Sequence, residues 1–224
     1  MFAREPIPGA VKTRLIPLIG ADGAARLADA FIRDALAKAS RINAVRLVLA
    51  GTSPGPVGRS RYFQRMARRY GAQLIDQEGG DLGRRMARAL ALYSEPAGAV
   101  LMGTDTPSLP LYFIRQAIED LRQAPVVIAP ALDGGYYLAG VRGPVPDIFG
   151  ALDWGGKRVM SQTLTRLRRL GVAYRLGRWW YDIDRAADLE LLAQALAGRG
   201  RIPCPATVRV LRELGLLKRP DAAP

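Results

Sequence analysis

The sequence predicts an α/β fold, a single-domain, mostly parallel sheet flanked by helices. Strand and helix patterns alternate through the first 130 residues, which favours parallel strands covered on both faces. A chain of 224 residues with 49% hydrophobic and 24% charged residues can bury one core of that size. We therefore read residues 1–217 as one domain and residues 218–224, Pro-rich from Pro220, as a disordered tail.

The elements follow in order. Only Met1-Phe2-Ala3 precedes the first loop, so strand one is very short or the numbered start lies downstream of the true one. Ala24, Leu27, Ala28, Phe31 and Ala35 follow the i, i+3, i+4, i+7 spacing of a half-buried helix over 22–38. Val45 to Ala50 reads as a buried strand, stopped by Gly51-Thr52-Ser53-Pro54-Gly55. A helix carrying Tyr62, Phe63, Met66 and Tyr70 inward ends at Gly71, and a short strand runs from Ala72 to Ile75. Further helices are expected over 82–93, 110–122, 157–170, 185–197 and 205–215. Further strands are expected at 98–102, 126–129, 136–139 and 172–176.

Composition removes whole classes of chemistry. The chain has no histidine, which excludes a Ser-His-Asp or Cys-His catalytic unit and a His-ligated metal. Its one cysteine, Cys204, excludes an internal disulfide and a cysteine-based zinc or iron–sulfur site. Carboxylates, Arg, Lys, backbone amides and oxygen-liganded metals remain. The formal net charge of +13 points to an anionic partner, although only four of the 33 basic residues are lysines and the arginines are scattered. No apolar signal core follows the N-terminus, and no window approaches the roughly 18 apolar residues of a membrane span. A soluble, cytoplasmic protein is expected.

Five segments look unlike scaffold, each near the carboxyl end of an expected strand, where open α/β sheets bind ligands. The loop Arg4-Glu5-Pro6-Ile7-Pro8-Gly9-Ala10-Val11-Lys12-Thr13-Arg14 is stiffened by prolines and followed by two cations suited to a di- or triphosphate. It is not a P-loop, because Val11 stands where the glycine before the lysine belongs. Gly103-Thr104-Asp105-Thr106-Pro107-Ser108 places an aspartate at a strand end, either as a ligand for a phosphate-bound Mg²⁺ or Mn²⁺ or as a cap for the next helix. Asp133-Gly134-Gly135-Tyr136 reads as a hairpin turn whose aspartate can also bond a sugar hydroxyl or act as a base. In Asp182-Ile183-Asp184 the two carboxylates face one side if extended, and Asp184 is also placed to cap the following helix. Gln77 to Met86, with Gly79-Gly80-Asp81-Leu82-Gly83, is either a Gly-rich helix start or a base- or sugar-contacting loop.

The ordered set PGAVKTRL, GGDLGRRM, GTDTPSL, DGGYYLAG and DIDRAADL resembles a bacterial family of small GT-A-type nucleotide-diphospho-sugar transferases, long catalogued as a domain of unknown function. The chain is more distantly similar to guanylyl-, cytidylyl- and molybdenum-cofactor nucleotidyltransferases. The resemblance runs from Phe2 to about Leu217. It implies nucleotide binding by Ala3, Arg4, Gly9, Lys12, Arg14, Gly103 and Thr104, and a metal, Mg²⁺ or Mn²⁺, on Asp105 and Asp184, with Asp182 as the alternative second ligand. It implies a sugar or acceptor pocket at Asp81, Leu82, Gly83, Asp133, Gly134, Gly135 and Tyr136. Two departures stand out. The first loop is proline-flanked rather than of the G-x-G-x-R type, and residue 107 is Pro where GT-A enzymes carry the second acid of D-x-D.

The leading expectation is a metal-dependent transfer of a glycosyl group from a nucleotide sugar to an acceptor. Lys12, Arg14 and Asp105 would serve the diphosphate, and Asp133 would be the base if the reaction inverts. The alternative is a nucleotidyltransferase joining an NTP to a phosphorylated small molecule with release of pyrophosphate. A phosphate nucleophile needs no general base, so the absence of histidine costs nothing there. A nucleic-acid-binding role is not favoured: Arg61, Arg65, Arg68 and Arg69, and Arg166, Arg168 and Arg169, fall on helices with apolar faces and read as solvated surfaces.

Overall fold

The computed structural model describes residues 1–43, 45–197 and 203–218. The expected tail from Pro220 lies outside the described residues. The elements are β1 (Phe2–Arg4), α1 (Ile16–Ala39), β2 (Val48–Thr52), α2 (Arg61–Tyr70), β3 (Gln73–Asp76), α3 (Leu82–Ala91), β4 (Ala99–Met102) and α4 (Leu111–Asp120). They continue as β5 (Val126–Pro130), β6 (Tyr136–Val141), α5 (Val159–Arg169), β7 (Tyr174–Leu176), α6 (Ala186–Ala197) and α7 (Pro205–Glu213). Among the described residues no helix is long and apolar enough to cross a membrane.

Two sheets form, ordered β1-β2-β3 and β4-β6-β5-β7. The first is wholly parallel, with Phe2 opposite Ala50 and Ala50 opposite Ile75. In the second, β6 runs antiparallel to both β4 and β5, while β5 and β7 are parallel. The parallel character expected of the first 130 residues ends at β6, where the expected hairpin turn at Asp133-Gly134-Gly135 makes the β5–β6 pair antiparallel. The connection over 131–135 is too short for a crossover and can only return the chain as a hairpin. Gly134 makes that turn possible: its φ is +94°, and an added Cβ would collide with the Lys157 carbonyl.

Side-chain alternation builds a layer on each face of β4. Leu101 joins Met86 and Leu90 of α3 and Leu167 of α5, while Met102 joins Phe113 and Ile114 of α4. Phe2 packs with the first group and Met1 with the second, which sets the β1 edge beside β4. Helix α1 packs against α7 through Leu27, Phe31, Val208 and Leu211. It begins before the expected residue 22, because the helical turns after Leu15 run on across a kink at Gly20. Strand β2 starts three residues and ends two residues downstream of expectation, in the register set by β1 and β3 together. The ends of β1, β2, β3 and β4 and the start of β6 meet at one edge.

Candidate active site

A cleft of about 610 Å³ opens at that edge. It is lined by Ala3, Arg4, Lys12, Arg14, Leu82, Gly103, Thr104, Asp105, Tyr136, Asp182 and Asp184, so most residues singled out in the sequence come together.

Lys12 is the centre of the charged wall. The loop after β1 is tightened by hydrogen bonds from Ile7 N to Glu5 O and from Ala10 N to Ile7 O, and Val11 is buried against Ala25 and Ala28. These anchors hold Lys12 in a left-handed conformation, φ +46° and ψ +40°, uncommon for a residue with a side chain. The side chain turns inward, only 7% exposed, with its ammonium 5.3 Å from the centre of the Phe31 ring. Nζ lies 2.6 Å from Asp105 Oδ1, 2.8 Å from Asp184 Oδ1 and 2.7 Å from the Ile183 carbonyl, so all three protons have partners. Burial alone would lower the Lys12 pKa, but the Asp105 and Asp184 carboxylates outweigh it and hold it above its ordinary value. Arg14 stands outside this knot, largely exposed, with Nη1 3.9 Å from Asp184 Oδ2.

The two carboxylates are free for this role because other groups perform the capping. Helix α4 follows Pro110 with no side-chain cap, so Asp105 does not cap it. The cap of α6 is Asp188, whose Oδ2 accepts from Asp184 N at 3.0 Å and Arg185 N at 2.7 Å. An acid at the third helical position can reach back to those amides, which leaves the Asp184 side chain for the cleft. A hydrogen bond from Ile183 N to the Asp105 carbonyl, 2.9 Å, ties the two acidic segments together. Asp182 faces the same cleft, as the alternation predicts. Burial, followed by the neighbouring Asp105, Asp133 and Asp184, pushes its carboxyl up to about 7, with Lys12 pulling the other way.

The remaining candidates separate into cleft and scaffold. Leu82 and Tyr136 line the cleft, but Gly9, Asp81, Gly83, Asp133, Gly134 and Gly135 do not. Asp81 caps α3 by accepting from Arg84 N at 2.8 Å. Gly83 permits close packing: a Cβ there would strike the Phe149 carbonyl and lie 2.8 Å from the Trp154 indole nitrogen. Asp133 is exposed and accepts from Gly135 N at 2.9 Å, completing the hairpin turn. Of the segment Gln77 to Met86, read as a possible contacting loop, Gln77, Arg85 and Met86 also line the cleft, Gln77 donating to the Ala3 and Ala50 carbonyls, and Thr52 is among the lining residues that the sequence reading did not assign to the site.

Taken together, the cleft presents two carboxylates sharing one buried cation, an exposed arginine at the mouth and a mixed apolar floor. Such a wall can hold polyanions only when further positive charge enters or Lys12 is shared.

Solved structures share this fold. A Desulfovibrio desulfuricans G20 protein provisionally named a nucleotide-diphospho-sugar transferase is 31% identical over 95% of this chain and 92% of its own, with a TM-score of 0.84. A CMP:2-keto-3-deoxy-manno-octonic acid synthetase complexed with CTP shares the fold at 13% identity, over 74% of this chain and 88% of its own, with a TM-score of 0.51. A cytidylyltransferase from Leptospira borgpetersenii serovar Hardjo-bovis (strain JB197) does so at 9%, over 87% and 88%, with a TM-score of 0.50. Among curated proteins none matches the sequence significantly. Residues 35–156, more than half of the chain and including Asp105 and the 79–86 and 133–140 segments, match one family model. The chain therefore belongs to the family described as "Uncharacterized protein conserved in bacteria (DUF2064)", and its fold is that of nucleotide-diphospho-sugar transferases.

Proposed function

We propose that the protein is a metal-dependent transferase that takes a nucleotide-activated sugar and passes its glycosyl group to an acceptor. The observation that carries this reading is the convergence of Asp105 and Asp184 on one cation, the Lys12 ammonium, at the ligand-binding edge of the sheet. Two carboxylates that already share a positive charge suit Mg²⁺ or Mn²⁺, which bind through one or two protein carboxylates and complete their shell with substrate phosphates and water. Among the described residues no group of three or more His, Cys, Asp or Glu side chains is arranged to hold a metal alone. When bound, the ion would neutralise charge on the leaving diphosphate. Asp105 and Asp184 would hold it. Lys12, held between them, and Arg14, exposed at the mouth, would supply the remaining positive charge to the phosphates. The name given to the Desulfovibrio relative favours sugar transfer.

Nucleotidyl transfer, from an NTP to a phosphorylated small molecule, is the second reading, and one observation favours it. Asp133, the base that an inverting sugar transfer would call on, sits in the hairpin turn and not in the cleft lining. An ionised phosphate nucleophile needs no such base.

Thermal shift and calorimetry with nucleotides and nucleotide sugars, in Mg²⁺, Mn²⁺ or EDTA, test both readings. A ligand at a hundredfold excess over its Kd should stabilise by about 2.7 kcal/mol. A larger metal-dependent shift with a nucleotide sugar than with the matching NTP supports sugar transfer, and the reverse supports nucleotidyl transfer. Asp105→Ala should cut the metal-dependent affinity by about a hundredfold or more with little change in melting temperature. Wild-type protein that responds to none of these ligands overturns both readings.

A further inference from the structure

The oxygens that a divalent ion would use are already held by a cation of the chain itself. Lys12 Nζ lies 2.6 Å from Asp105 Oδ1 and 2.8 Å from Asp184 Oδ1, and donates to the Ile183 carbonyl at 2.7 Å. The two carboxylates are nearly half exposed, at 47% and 43%, and both line the cleft, whereas the lysine between them is 7% exposed. An ion arriving from the cleft can therefore reach Asp105 and Asp184, but it meets an ammonium in place.

Charge and distance decide whether both cations can stay. An ion bound about 2.1 Å from these carboxylates stands within roughly 5 Å of the ammonium, close enough for strong repulsion outside bulk water. The two contacting carboxylates balance one divalent ion. With the ammonium also in place, the cluster carries an uncompensated positive charge in a partly buried site. The lysine is the partner able to move. Val11 and Leu15, both buried, pin the backbone on either side of it, while its ammonium rides on a flexible four-carbon stem. Ala10, Val11, Thr13 and Arg14 line the cleft beside it, so the stem has open space to turn into.

We propose that Lys12 and the divalent ion exchange at one place. Before substrate binds, the ammonium holds Asp105 and Asp184 together; it then gives them up to the ion and swings to the substrate phosphates. This rests on the metal-dependent reading proposed above and adds an order to it. Binding of the ion alone is penalised, because it displaces three hydrogen bonds and leaves the ammonium without a partner. Binding together with a diphosphate is favoured, because the phosphates receive the released charge. Lys12 thus couples the ion to the nucleotide.

Calorimetry on the full chain, with Mn²⁺ alone and then with CDP, UDP, GDP and ADP in saturating Mn²⁺, tests the exchange. Lys12→Met keeps an apolar stem near the Phe31 ring and removes the competing charge. It should bind Mn²⁺ about tenfold more tightly than wild type, or more, and bind the nucleotide about tenfold more weakly. A merely structural lysine would lower both affinities. Melting curves give a second readout: Lys12→Met should melt below wild type without metal and gain more from Mn²⁺ than wild type gains. Lys12→Gln, which retains two donors without the charge, should show the same signs. Adding Asp105→Asn to Lys12→Met should remove the gain in Mn²⁺ affinity, and Arg14→Met should change that affinity by no more than about threefold. Mn²⁺ binding to wild type as tightly as to both lysine variants leaves the metal reading standing and overturns the exchange. An equal gain in Arg14→Met also overturns it, since general electrostatics would then suffice. If Mn²⁺ binds no form of the protein, with or without nucleotide, the metal reading and the exchange fail together. A gain in Mn²⁺ affinity with no nucleotide bound by any form keeps the exchange at the carboxylates and removes the nucleotide reading.

Discussion

Two acidic regions of this molecule, one buried on α1 and one half-exposed at the cleft, are built on opposite principles. On α1, Asp34 is 3% exposed at the seam with α7. Its carboxylate accepts from Ala206 N at 3.0 Å, Thr207 N at 2.8 Å and the Thr207 hydroxyl at 2.7 Å. It thus caps α7 from another helix, where Cys204 at the N-cap offers no side-chain bond. At the cleft, Asp105, Asp182 and Asp184 crowd like charges around one ammonium, and Asp182 has no side-chain hydrogen bond among the described residues. The first region is satisfied within the protein and stabilises it. The second is held short of satisfaction and open to a cavity, as binding sites are.

The comparison breaks if the two regions respond alike to mutation. Asp34→Ala should be the largest effect on the fold, about 3 kcal/mol, because three donors lose a charged acceptor inside the core. For a chain of this length that is a fall of roughly 6–12 °C, read by calorimetric melting. Nucleotide affinity in the folded fraction should not change. A loss of affinity without a loss of stability would place Asp34 with the site.

Lys38, four residues along α1, sharpens the same contrast. Its buried ammonium donates to the Pro107 and Leu109 carbonyls and so fixes the loop that carries Asp105. Lys38→Met should cost about 2 kcal/mol by stranding those carbonyls. Burial lowers the Lys38 pKa from 10.5 to about 8, opposed by Cys204 ahead of α7 and by Asp34 on its own helix. Between pH 8 and 10.5 the unfolded chain therefore holds the Lys38 proton more tightly, and this group adds stability as pH rises. Burial pushes the Cys204 thiol up to about 12, which works the other way above pH 9. Between pH 8 and 9 the wild type should gain up to about 1 kcal/mol relative to Lys38→Met in urea melts, and parallel curves would remove Lys38 as the cause.

The smallest effect concerns Asp182. Asp182→Asn relieves repulsion among three carboxylates and should raise stability by up to about 1 kcal/mol at neutral pH. A clear destabilisation would mean that this carboxylate is satisfied within the protein after all, and the contrast with Asp34 would collapse.

Much of the architecture was legible in the residues. Apolar spacing located α2 through Phe63 and Met66, and Asp133-Gly134-Gly135 announced the β5–β6 turn. Lys12, Asp105 and Asp184 were legible as a set, because charged residues after strand ends in this class of fold meet at one edge. The glycines misled in one respect. Gly83 and Gly134 suggested ligand approach, but the backbone that approaches them belongs to Phe149 and Lys157 of the same chain. A glycine signals close contact without saying with what.

The sequence by itself determined the elements, the edge where the site lies and the absence of histidine and disulfide chemistry, since periodicity and composition are local or global properties of the chain. The tertiary structure alone decided the partners. That Asp188 caps α6 and frees Asp184, that Lys12 faces inward between two carboxylates, and that Asp34 caps α7 all depend on distances that the folded chain sets. Pairing energies fall steeply with distance and solvent exposure, so residue type sets what a side chain can do and the fold selects which of those things it does.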